Sequence, residues 1–128
     1  MTQLLLDTHA WAWIVTMPGK ISSRVQLFLD QADTVCLSTV SVYEIGQKVR
    51  LGKWPEMNGH LDDIESVLVA RGGTPIAPGT QICALAGLLD WPHRDPFDRI
   101  IAATALSLDL TLISADTVFD ALPIRRVW

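Results

Sequence analysis

His93-Arg94-Asp95-Pro96-Phe97-Asp98-Arg99-Ile100-Ile101-Ala102-Ala103-Thr104-Ala105 is the stretch around which the chain is organised. Asp95 followed by Pro96 reads as an N-cap with proline at the first helical position, where its missing N–H costs nothing. Phe97, Ile100, Ile101, Thr104, Ala105 and Leu108 then recur at helical spacing, and Ala102 and Ala103 allow close backbone approach. The spacing predicts a helix buried along most of its length. Asp98 falls in its first turn, where a carboxylate complements the macrodipole and the free N–H groups. Capping therefore explains Asp98 as well as a ligand role does, and the other acids must decide.

Working outward, Leu4-Leu5-Leu6 is a continuous apolar run ending at Asp7, the pattern of a strand buried on both faces, as in a parallel sheet. Asp7 or Thr8 caps a helix that runs through Val15 and stops at Met17-Pro18-Gly19, and Ser22-Ser23 opens a second. Val35-Cys36-Leu37 is a second strand. Ser38, Thr39 and Ser41 supply caps for a helix bearing Val42, Ile45 and Val49, and Ser41-Val42-Tyr43-Glu44 has the form of a capping box that would set Glu44 in a first turn. Leu61 to Leu68 marks another helix before Arg71-Gly72-Gly73. Pro75-Ile76-Ala77 reads as a short strand, its proline placing it at a first position or an edge. Gln81 to Leu89 has helical spacing, Leu110 to Ile113 is a strand ending at Ser114-Ala115-Asp116, and Ile124 to Val127 closes the sheet at an edge. This alternation predicts an α/β fold, an α/β/α sandwich with a short, mainly parallel central sheet and ligands beyond the carboxyl ends of its strands.

The 128 residues suit one domain over 1–128, and 49% hydrophobic content with a mean hydropathy of +0.29 points to apolar surface covered by a partner. No run approaches the ~20 apolar residues of a membrane span, so a cytoplasmic protein without a membrane role is expected. Cys36 and Cys83 lie far apart with no C-x-x-C spacing and read as buried free thiols. A net charge of −4 makes the chain a poor generic binder of polyanions. A nucleic-acid substrate would need bound cations or local basic groups near the site.

Asp7 and Asp116 each lie immediately beyond a strand, and Glu44 follows Ser38, the end of another, by less than two helical turns. A helix antiparallel to the next strand would bring Asp98 to the same edge. At an effective dielectric of about 20, one pair of like charges at ~4 Å costs roughly 4 kcal/mol, so four gathered carboxylates call for a cation among them. Oxygen ligands without a matching His or Cys set favour Mg²⁺ or Mn²⁺ over zinc. Such an ion can acidify a water and neutralise a phosphate, which is the chemistry of phosphodiester hydrolysis.

Leu4-Leu5-Leu6-Asp7-Thr8-His9-Ala10, Ser38-Thr39-Val40-Ser41-Val42-Tyr43-Glu44-Ile45, His93 to Ala102 and Ser114-Ala115-Asp116 resemble, in order, the successive blocks of PIN-domain ribonucleases, above all the VapC toxins of bacterial type II toxin-antitoxin systems. The resemblance spans essentially the whole chain, with residues 52–90 the least distinctive. It implies a PIN-like fold in which Asp7, Glu44, Asp98 and Asp116 bind Mg²⁺ or Mn²⁺ and support RNA cleavage. It also implies a homodimer and a cognate antitoxin protein. Asp95 fits the same run but reads as a cap, so it is a secondary candidate.

Arg94 and Arg99 flank the acids and are candidates for phosphate contact, with His93 beside them. Thr8, Ser38 and Ser114 suit either capping or a water or phosphate contact, and His9 and His60 read as neither ligands nor bases. A metal-dependent phosphatase acting on small phosphoesters and a non-cleaving RNA- or protein-binding domain remain as alternative readings. Trp11 and Trp13 are two apart on a helix and cannot share one core, so at least one of Trp11, Trp13 and Trp54 is expected in an interface.

Overall fold

Leu4, Leu5 and Leu6 are almost wholly buried, and they fill opposite faces of a sheet, as their lack of alternation predicts. The computed structural model describes residues 2–128. Its sheet comprises β1 (Gln3–Leu6), β2 (Thr34–Ser38), β3 (Gly73–Ile76), β4 (Thr111–Ile113) and β5 (Arg126–Val127). All neighbours are parallel, in the order β3-β2-β1-β4-β5, so β1 is central and both edges are short. The helices are α1 (Thr8–Thr16), α2 (Ser23–Gln31), α3 (Thr39–Arg50), α4 (Ile64–Ala70), α5 (Thr80–Leu88) and α6 (Pro96–Leu108). The α/β/α sandwich expected from the alternation is the fold observed.

Two cores form because successive strand residues point to opposite faces. Leu4, Leu6, Leu37 and Ile113 pack with Trp11 of α1, Val25 of α2, Ile45 of α3 and Leu68 of α4. On the other face Leu5, Cys36 and Leu112 meet Ile101, Ala102 and Ala105 of α6. Ala103 of α6 in turn receives Ile82 and Ala86 of α5. The alanines that allowed close approach in the sequence are the seam on which the second layer rests.

Strand ends double as helix caps, which brings the helix N-termini against the sheet edge. Asp7 accepts from the Ala10 amide at 2.7 Å to start α1, and Ser38 accepts from the Val40 amide at 3.2 Å to start α3. Asp95 accepts from the Phe97 and Asp98 amides at 2.9 and 3.4 Å, with Pro96 at the first position of α6. Asp116 accepts from the Val118 amide at 2.9 Å ahead of a 3-10 turn, Thr117–Ala121.

Some expectations need correcting. The capping box at Ser41 to Glu44 does not form, because Ser38 caps α3 three residues earlier and leaves Ser41 buried inside it. Glu44 is therefore the sixth residue of α3, beyond its first turn. Cys36 is a buried free thiol as expected, but Cys83 lies on the exposed face of α5. Pro75 sits at the third position of β3, tolerated there because β3 is an edge strand. Trp11 is core, while Trp13 and Trp54 stay half-buried.

Candidate active site

Leu6 pairs with Leu37 on one side and Ile113 on the other, so the next residues along each strand, Asp7, Ser38 and Ser114, lie level. The strand order reverses between β1 and β4, the switch point at which open parallel sheets take ligands. A cleft of about 500 Å³ opens there. Asp7, Glu44, Asp98 and Asp116 all line it, as do Asp95, Thr8, His9, Trp13, Lys48 and His93. The four acids singled out in the sequence thus face one cavity.

Asp7 and Glu44 are the buried pair among them. Burial raises the Asp7 carboxyl from an ordinary 3.8 to about 6, against the hydrogen bonds from Ser114 and the Ala10 amide that lower it, while the facing Glu44 and Asp116 add to the rise. Ser114 is fully buried and links two acids, donating to Asp7 while its oxygen accepts from the Asp116 amide at 3.0 Å. Glu44 is buried on α3 and held at both oxygens: the Thr8 hydroxyl donates to Oε1 at 2.6 Å, and Lys48 Nζ lies 2.8 Å from Oε2. Thr8 in turn hydrogen-bonds Ser41 at 2.9 Å, which explains why Ser41 is buried rather than capping. Burial and Lys48 push the His9 imidazole below its ordinary value.

Asp98 Oδ2 lies 2.7 Å from His93 Nε2. Burial lifts its carboxyl to about 6, the His93 hydrogen bond opposes the rise, and Asp95 and Glu44 reinforce it. Among the described residues, His93, Asp95 and Asp98 bring their ligand atoms within 4.8 Å of one another, a group that could hold a metal ion. Asp7, Glu44 and Asp116 line the same cleft outside that tighter group. Asp95 does cap α6, and the capping uses its Oδ1 alone.

Arg99 has another task than phosphate contact. Its Nε donates to the Ala86 carbonyl at 2.9 Å, Nη1 to Trp91 and His93 at 2.7 and 2.9 Å, and Nη2 to Leu89 and Gly87 at 2.7 and 3.4 Å. A guanidinium has five N–H groups, and all five are used on carbonyls of the α5 end and the segment leading to α6. Arg99 thereby fixes the backbone that presents His93 to Asp98. Arg94 is exposed and lines a separate groove with Tyr43, Gln47 and Phe97 that borders the acidic cleft at Glu44, Lys48 and Asp95.

Five carboxylates face one ammonium across the cleft. Asp7 and Asp98 hold protons more tightly than free carboxyls chiefly because they are buried, with neighbouring carboxylates adding to the effect, and a hard divalent cation among them would offset that charge. The carboxylate-rich lining, with His93 beside it, fits a divalent cation. Sequence reasoning did not find the His93–Asp98 pair or the Thr8–Glu44 bond, which depend on chain paths rather than spacing. Lys48 was findable, since it lies four residues beyond Glu44 on one helix face.

A parallel sheet with acids gathered at its switch point defines an α/β domain with a carboxylate-lined cleft. Residues 4–124 match the PIN domain model, and the chain belongs to that family. It is 24% identical over 119 residues to Ribonuclease VapC22 of Mycobacterium tuberculosis, covering 91% of this chain and 88% of that protein. In structure it is similar to chains of VapBC2 from Rickettsia felis bound to a DNA fragment from their promoter, with a TM-score of 0.70, 19% identity and coverage of 97% and 96%. A further likeness is to DNA-bound VapBC from Salmonella typhimurium, with a TM-score of 0.68, 20% identity and coverage of 99% and 98%. FitAcB from Neisseria gonorrhoeae gives a TM-score of 0.66 at 24% identity, covering 98% and 96%. Among the described residues no helix is long and apolar enough to cross a membrane.

Proposed function

We propose that the chain is a metal-dependent endoribonuclease acting as the toxin of a toxin-antitoxin pair, with Asp7, Glu44, Asp98 and Asp116 as metal ligands and catalytic residues. The observation that carries this reading is the convergence of these acids, from four different segments, on one cleft at the switch point of a PIN-family sheet. The antitoxin partner is supported by the likeness to VapBC chains and to a toxin-antitoxin complex from Klebsiella pneumoniae, and the homodimer rests on the sequence resemblance alone.

Asp7, Glu44, Asp98 and Asp116 would hold a Mg²⁺ or Mn²⁺, which would supply an acidified water and charge neutralisation at the phosphate. The protein's own contribution is placement. Asp7 is fixed by the Ala10 amide and Ser114, and Glu44 by Thr8 and Lys48, so neither carboxylate must be ordered when the cation arrives. His93 Nε2 lies 2.7 Å from Asp98 Oδ2 and holds that carboxylate at the cleft wall. Lys48, paired with Glu44 at 2.8 Å, offers the single ammonium that lines the cleft.

The test is incubation of unlabelled total RNA, a short single-stranded RNA and p-nitrophenyl phosphate with the protein in Mn²⁺, Mg²⁺ or EDTA. Internal RNA cleavage in metal alone, with the aryl phosphate untouched, supports the proposal. Turnover of the aryl phosphate without RNA cleavage would replace it with a small-molecule phosphatase, and RNA retention without turnover with a binding domain. Cleavage mapping would then name the RNA.

A further inference from the structure

One wall of the cleft is aromatic, and the metal chemistry makes no use of it. His9, exposed at the start of α1 and next to Asp7 in the chain, has its ring centroid 4.8 Å from Trp54 and 5.7 Å from Trp13. Trp13 lies 5.5 Å from Trp128, so four rings form a continuous belt running from the acids outward. The rings are tilted by 35°, 57° and 59° rather than closed into parallel stacks. Two ammonium groups ride on the belt: Lys48 lies 5.1 Å from the centre of Trp54 and Lys20 5.1 Å from that of Trp13. Trp54 and Trp128 pack against the core, and Trp13, Trp54 and Trp128 each stay partly exposed.

We infer that the His9–Trp54–Trp13 wall is a stacking subsite for an unpaired nucleobase of single-stranded RNA, placing the neighbouring phosphate over the carboxylates. The inference rests on the ribonuclease reading and names what that site binds. Charge makes the subsite necessary. A chain of net charge −4, whose cleft sets five carboxylates against one ammonium, gains little affinity from counterion release. Stacking on aromatic faces is indifferent to that charge, tolerates any base and requires the base to be free of its duplex partner. Both lysines sit where a strand stacked on the belt would carry its phosphates, and the belt begins at the residues that line the acids. A protein partner would be served by aromatic rings anywhere on the surface. A belt that enters the catalytic cavity is placed for the substrate.

The experiment is fluorescence anisotropy in Ca²⁺ with three labelled RNAs: a short single strand, the same strand paired in a duplex, and the same backbone carrying abasic linkers. The parent should bind the unpaired strand about 5- to 100-fold more tightly than either of the others, the range expected for one or two stacked bases. His9→Ala and Trp54→Ala should erase most of that preference with an unchanged salt slope. His9→Phe and Trp54→Phe should retain it. His9 is exposed, so His9→Ala keeps the fold, which thermal unfolding checks, and the test survives should Trp54→Ala unfold. Equal binding of the abasic and complete strands, or parent-like binding by the His9→Ala protein, overturns the subsite. A change in molecular mass with unchanged RNA binding overturns it too and makes the belt a protein interface. Cleavage in Mn²⁺ is followed on the same samples. Cleavage with base-independent binding removes the subsite and leaves the ribonuclease, whereas base-dependent binding without cleavage supports the subsite and removes the ribonuclease.

Discussion

Replacing Asp7 by Asn should make the metal-free protein more stable, and by an amount that depends on pH in a defined way. Asp7 is 7% exposed, and burial lifts its carboxyl from 3.8 to about 6. A displacement of that size is worth about 3 kcal/mol between the two protonation states. Because the folded form holds the proton more tightly than the unfolded chain, this contribution is fully present below 3.8. It is lost as pH rises toward 6 and stays absent at pH 7. Asparagine carries no charge, keeps an oxygen to accept from the Ala10 amide 2.7 Å away, and caps helices as well as aspartate does. In EDTA the Asp7→Asn protein should therefore match the parent near pH 4 and exceed it by up to about 3 kcal/mol at pH 7, a rise in melting midpoint of roughly 10 °C for a domain of this size. Mn²⁺ at about 100 times its dissociation constant adds ~2.7 kcal/mol to the parent and little to the variant, which should nearly erase the difference, and about 1,000 times adds ~4.1 kcal/mol and should reverse the order. Scanning calorimetry of both proteins at pH 4, 5.5 and 7, with EDTA and with Mn²⁺, reads all of this. An Asp7→Asn protein no more stable than the parent at pH 7 in EDTA, or a gain that persists undiminished at pH 4, would refute the reasoning.

Arg99→Lys retains the charge but loses the five-armed fork, leaving carbonyls of residues 86–93 without donors; a loss of about 2 to 4 kcal/mol in urea unfolding is expected. A loss below 1 kcal/mol would show that water replaces the guanidinium freely. Asp116 is exposed and caps its turn through one oxygen, so Asp116→Asn should change stability by less than about 1 kcal/mol. It should also lower RNA cleavage in Mn²⁺ by about 100-fold or more, and full activity would remove Asp116 from the site. Cys83 should react with a maleimide in the folded protein, whereas Cys36, buried under the sheet with its thiol pushed up by burial, should react only after unfolding. Mass spectrometry of the singly labelled product distinguishes the two.

Local signals carried most of the fold. The unbroken apolar run at Leu4 to Leu6 announced a strand covered on both faces, and Asp95-Pro96 marked the start of α6 without help from any distant residue. Asp7, Glu44, Asp98 and Asp116 were legible as a group because three of them follow strands and the fourth starts a helix returning to the same edge. What was not legible depended on competition or on path. Ser38 and Ser41 are both plausible caps, and only the strand end at Ser38 decides between them. His93 and Asp98 are five residues apart across a helix start, a spacing with no rule attached, and they meet because Arg99 holds the intervening backbone. Arg99 itself looks like a phosphate ligand in sequence, since nothing in its neighbours announces that five carbonyls from another segment will surround it.

The two edges of the sheet close off one mode of association. On one side Pro75 deprives β3 of a donor midway along its four residues, and on the other β5 is two residues long. Neither margin can template a visiting strand, because backbone pairing needs several consecutive donors and acceptors in register. A second copy or a protein partner must therefore be recognised through helix faces and side chains. Backbone ladders accept almost any extended sequence, while side-chain surfaces reject most. The blunted margins thus guard the chain against indiscriminate aggregation and leave its choice of companion to residues that can change without disturbing the sheet.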